Sequence, residues 1–162
     1  MKIRKLIVKV HGVIGIVVGL LISVVSVTGS AIVFQTELDT WLNRSLFQVT
    51  PQVQVVAIDQ VLNVVQTAYP KFPLSFIQVP KTPDTSYIVN QKLPDEQRLQ
   101  TFVDPYTGKI LGSRVWERSI IGFMYAVHHN LLAGLMGQIV VGVAGSGLLL
   151  MTISGDRSRM QR

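Results

Sequence analysis

The chain has 162 residues, no cysteine and a formal charge of +6. Without cysteine there is no disulfide framework, no thiolate metal site and no cysteine nucleophile. Nucleic-acid binding calls for a basic patch on a folded domain. Here the span from Gln35 to Arg118 carries eight basic and eight acidic residues, and the excess sits in the tails at Lys2, Arg4, Lys5, Lys9, Arg157, Arg159 and Arg162. That distribution excludes nucleic acid as a partner.

The first element is a basic tail, 1–12, followed by an uncharged apolar run, 13–34. Twenty-two residues at about 1.5 Å each cross a hydrocarbon slab of roughly 30 Å. The run exceeds the apolar core of about 7–15 residues in a cleaved signal peptide, so a retained transmembrane helix is expected. Gly15, Gly19, Ser23, Ser26 and Ser30 recur at steps of four and three, which places them on one helical face. Trp41 is expected at headgroup depth beyond this span, as aromatic residues prefer.

The segment 35–118 reads as a small soluble domain. Leu46 to Val49 is a short apolar stretch before Pro51. Ala57 to Tyr69 reads as an amphipathic helix with Val61, Leu62, Val64, Val65 and Ala68 on its apolar face, stopped by Pro70. Strands are expected at Leu74–Val79, Ser86–Asn90, Leu99–Val103 and Lys109–Val115. Asp104-Pro105-Tyr106-Thr107-Gly108 is a turn signal, with Asp accepting a local amide bond, Pro presetting φ and Gly leaving at positive φ. The fold class is therefore a membrane protein with an α+β domain, one helix on an antiparallel sheet. No histidine lies in this domain and its carboxylates are scattered, so it offers no nucleophile–base pair.

Residues 119–130 read as an interfacial turn or short helix, with Trp116 and Tyr125 at headgroup depth. A second uncharged run, 131–153, is long enough for a second transmembrane helix, and 154–162 is again a basic tail. Gly137, Gly142 and Gly145 give it a small-residue character like that of Gly15, Gly19 and Ser26 in the first. Small residues let helix backbones approach closely in lipid, against each other, a partner subunit or a flat cofactor. The Lys/Arg excess in both tails orients them to the cytoplasm and the middle domain to the periplasmic side. The expected partners are the lipid bilayer and another membrane subunit or a second copy of the chain.

Several motifs now stand in order: His11-Gly12-Val13-Ile14-Gly15, Thr28-Gly29, the acidic exit Glu37-Leu38-Asp39, Val103-Asp104-Pro105-Tyr106-Thr107-Gly108, and His128-His129-Asn130-Leu131-Leu132 followed by Gly134 and Gly137. In this arrangement the chain resembles the PepSY-associated transmembrane family over nearly its whole length. The resemblance implies a PepSY domain held between membrane helices. Larger relatives look like four-helix proteins linked to iron uptake and to reduction of ferric siderophores with bound haem; this chain resembles half of one.

His11, His128 and His129 are the candidate cofactor-binding residues, as axial ligands of haem b, since histidine near membrane helices is a functional suspect and a common haem ligand. The family pattern points to His128, and the spacing His129–Ala133–Gly137 points to His129. Each can equally be an interface residue with no ligand. His11 and His128 stand about a slab thickness, 30 Å, apart and cannot share one iron within a monomer, so two-histidine ligation would need a dimer or a partner subunit. Two functions follow first: a non-catalytic membrane-anchored accessory subunit binding a partner at the outer face, or a haem-binding electron-transfer subunit of a ferric-siderophore reductase system. A peptidase-modulating module is a third, by family analogy. No catalytic residue or metal site is expected.

Overall fold

The computed structural model describes residues 2–159; Arg162 of the expected basic tail lies outside them. Of His11 the structure describes the backbone alone. The chain divides into two compact units, one holding the long apolar helices and one spanning Phe34–Phe123.

In the first unit, helix α1 runs Lys2–Val33 and helix α6 runs Gly134–Arg159. Within α1, Gly15–Val33 is a 19-residue stretch of mean hydropathy 2.5, and none of it is buried inside the protein. The second apolar run is built differently from the expected continuous helix over 131–153. Helix α5, Ile120–Asn130, occupies the segment expected as an interfacial turn or short helix, and α6 starts only at Gly134. Leu131 and Leu132 adopt left-handed φ values of 52° and 60°. The Leu131 amide donates to Val127 O at 3.0 Å and the Leu132 amide to Asn130 Oδ1 at 3.0 Å, so side chain and backbone together close α5. Ile120–Asn130 and Gly134–Ser146 bend by 63° across this turn, and among the described residues they are long and apolar enough for a span when taken together.

The second unit is an α+β layer. Strands β1 (Leu74–Gln78), β2 (Tyr87–Lys92), β3 (Arg98–Val103) and β4 (Ile110–Val115) form an antiparallel meander in that order. Helix α4, Ile58–Ala68, carries Asp59 in its first turn, where a carboxylate favours the helix dipole. Its Val61 and Val65 are buried against Tyr87, Val89 and Val103 of the sheet, with Val56, Leu62, Tyr69, Ile77 and Ile110 around them. Gln91 donates to Tyr69 O and Phe72 O, tying the loop after α4 to β2. The turn signal at 104–108 forms as expected: Asp104 Oδ1 accepts from the Tyr106 amide at 2.8 Å, and Gly108 takes φ 68°.

The opposite sheet face is also covered, which the sequence reading did not foresee. Helices α2 (Gln35–Leu42) and α3 (Arg44–Phe47) lie on it. Strand alternation puts Asn90, Gln100, Phe102, Gly112 and Arg114 on that face. Phe47 meets Phe102 edge to face at 5.0 Å, and a Cβ at Gly112 would come within 2.6 Å of Leu46 Cδ2. Ser86 Oγ donates to Leu46 O at 2.7 Å and the Ser86 amide to Phe47 O, holding α3 to the start of β2.

At the centre of this face Arg114 grips Asp39 with both terminal nitrogens, Nη1 to Oδ1 at 2.6 Å and Nη2 to Oδ2. The side chains are only 14% and 10% exposed. Gln100 Oε1 accepts from Arg114 Nε at 3.1 Å and Nη2 at 3.0 Å, and Gln100 Nε2 donates to Asn90 Oδ1. The guanidinium also stands 5.2 Å from the Phe102 ring centroid. A bidentate Arg–carboxylate pair with further hydrogen bonds from its guanidinium is the form in which a buried pair is tolerated.

Removing one partner leaves the other buried and uncompensated. Arg114→Leu is expected to cost about 3–5 kcal/mol of domain stability. Asp39→Leu combined with R114L is expected to cost clearly less than the sum of the single changes, read by thermal unfolding in detergent.

Candidate functional site

The expected site residues do not come together at one point. His128 and His129 are adjacent on α5, and His11 lies on α1. The His128 ring Nδ1 is 2.8 Å from Val25 O of α1. A carbonyl oxygen only accepts, so in the neutral ring Nδ1 carries the proton and Nε2 holds the lone pair.

Gly29, one turn beyond Val25, is what admits the ring. A Cβ there would sit 2.6 Å from His128 Cε1 and 3.0 Å from Nδ1. The Thr28-Gly29 and His128-His129 motifs, far apart in sequence, are thus two halves of one contact. Thr28 Oγ1 donates to Val24 O and Val25 O, so its side chain turns back onto its own helix.

His129 is engaged elsewhere. Its ring stacks on Tyr125 at 5.7 Å between centroids, and Gln138 Nε2 stands 3.4 Å from its Nδ1. The face expected through His129, Ala133 and Gly137 is not one helical stripe, because the chain turns at 131–133. A Cβ at Gly137 would collide with the Asn130 carbonyl, so that glycine serves the turn.

The other small residues are less enclosed. Gly15, Gly19, Gly142 and Gly145 have open space where a Cβ would stand. Ser26 and Gly145, with Leu21, Ile22, Val25, Val141 and Ala144, line a cavity of about 100 Å³. Ser30 Oγ donates to Ser26 O within α1.

Haem, which the resemblance implies, fits in part. His128 has the tautomer an axial ligand needs, with its second nitrogen anchored by a backbone carbonyl. His11 is 14 residues from Val25 along α1, about 21 Å at helical rise. His129 is rotated about 100° from His128 on the same helix. If haem were bound here, His128 would be the residue to hold it, and no cluster of three or more His, Asp or Glu suited to a metal ion occurs among the described residues.

The long unburied apolar helix and the four-stranded α+β domain together define a membrane-associated protein. Residues 8–156 match the family described as PepSY-associated TM region, and the chain belongs to that family. No curated protein matches it.

Gly29→Ala is expected to cost about 1–3 kcal/mol, as overpacking does. His128→Ala in the same chain should relieve most of that cost. A double-mutant cycle by thermal unfolding in detergent checks the contact, and additive losses would deny it.

Proposed function

We propose that the protein is a non-catalytic, membrane-anchored accessory subunit. Its apolar helices assemble with another membrane subunit or with a second copy, and its PepSY-like domain faces the outer side of the inner membrane. The topology that accompanies this reading has a cytoplasmic tail at 1–12, a span at 13–34 and an extracytoplasmic domain at 35–118. An interfacial segment at 119–130, a second span at 131–153 and a cytoplasmic tail at 154–162 complete it. The Lys/Arg excess of both tails supports the orientation.

The observation that carries the assembly reading is the open space at Gly15, Gly19, Gly142 and Gly145. In lipid, close backbone approach and packing drive helix association, and glycine faces permit it. These faces lie on helices whose apolar surface is not consumed inside the protein.

Gly15→Leu with G19L keeps the helix apolar and closes that face. The doubly substituted protein is expected to lose the subunit or second copy that co-elutes with the wild type in mild detergent. Unchanged co-elution would contradict the reading. Because the chain has no cysteine, topology is readable from single introduced thiols. Lys81→Cys should react with an impermeant maleimide in intact cells, and Lys5→Cys and Ser158→Cys only after the membrane is opened.

One observation favours a second reading, a haem-binding electron-transfer subunit. It is the Val25 carbonyl that fixes His128 with Nε2 free of its proton. Haem would supply one-electron chemistry, and His128 would hold and orient it. A Soret band in protein from haem-replete cells, lost in His128→Ala and kept in His129→Ala, supports this reading. Colourless protein removes it.

A further inference from the structure

Helix α2 is amphipathic in the inverse sense for a helix on a water-soluble domain. Its buried position is a carboxylate, Asp39, held by Arg114. At about 100° per residue, Trp41 points nearly opposite Asp39, and Phe34 lies seven residues before it on the same side. Trp41 is 65% exposed and Phe34 59%.

The head of α5 also turns apolar side chains outward. Ser119 Oγ accepts from the Gly122 amide at 3.0 Å and donates to Trp116 O, a side-chain cap that fixes where the helix begins. A Cβ at Gly122 would collide with the Trp116 carbonyl. Trp116 is itself covered by the Arg98 guanidinium at 4.0 Å, and Glu117 bonds the Arg98 amide at 2.9 Å. With Ile121 and Gly122 buried in this way, Ile120 and Phe123 are left 59% and 53% exposed.

Water does not favour helix faces that turn aromatic and aliphatic side chains outward, in α2 over a buried carboxylate. Both faces are continuous with an apolar helical run. Phe34 directly follows α1, and Phe123 lies on the helix that enters the second apolar run. Exposed arginines flank them, Arg44 after Trp41 and Arg118 before Ile120. Apolar aromatics bordered by cations match the boundary between acyl chains and phosphate headgroups.

We propose that Phe34, Trp41, Ile120 and Phe123 insert into the headgroup–acyl boundary of the bilayer and seat the sheet domain on the membrane surface. Asp39–Arg114 and the Ser119 cap hold the two faces in place. This rests on the membrane reading and goes beyond it, since an anchored domain can equally stand clear of the lipid.

Trp41 is its own probe. The full chain carrying Trp116→Phe, which keeps a ring under Arg98, is reconstituted in phosphatidylcholine vesicles. Its emission is quenched with iodide from the water or with bromines on the acyl chains. The reference is a chain with W41F, W116F and V53W, because Val53 is fully exposed in a loop at 105%. Trp41 is expected to be quenched by iodide at least about threefold less than the indole at position 53, and more by bromines near the carbonyl end than near the chain ends.

Density flotation of the same vesicles separates the two levels. Protein that floats with lipid while Trp41 answers iodide as position 53 does overturns the seat alone. Trp41 shielded from both quenchers overturns it in favour of a protein contact. Protein that does not float removes the membrane reading and the seat with it. If W116F loses its sheet signal in circular dichroism, the difference between wild type and W41F measures the same quantity.

Discussion

Residues 15–33 form an apolar helix that no other part of the protein buries, and this constraint governs the rest of the structure. In water, each of its exposed Val, Leu and Ile side chains would forgo roughly 1.5–3 kcal/mol of burial. The helix is long and apolar enough to cross a membrane, which agrees with membership of a membrane-associated family.

Six residues after the last of α1, the carboxylate of Asp39 is buried and held by Arg114 and Asn43. The pair closes the sheet face that α4 does not reach, with Phe47 and Phe102 packed beside it. In sequence, α2 follows α1 after a single residue.

Much of the domain was legible in the sequence. Alternation and Pro/Gly punctuation placed all four strands and α4 to within two residues, because each has one apolar face and a turn chemistry that ends it. Helices α2 and α3 were not legible. Their inward residues are Asp39, Leu46 and Phe47, and their outward ones include Trp41, so an apolar-inside template misses them. The partner of Asp39 was hidden for the same reason: Arg114 reads as an outward strand residue until α2 covers that face.

In the apolar unit, both halves of the Gly29–His128 contact stood out as motifs, but a spacing of about a hundred residues carries no geometry. The turn at 131–133 was missed because two leucines adopt left-handed backbone there, a conformation their type disfavours. Asn130, whose side chain bonds the Leu132 amide, and Gly134 at φ 57° were the available signals.

The most direct measurement is alkaline carbonate extraction of membranes from cells making the full chain, followed by high-speed sedimentation without detergent. Lipid as the solvent of α1 requires the protein to remain with the membrane pellet, as a bilayer-spanning segment does. Recovery of folded protein in the supernatant would show that α1 is buried some other way, and would contradict the account.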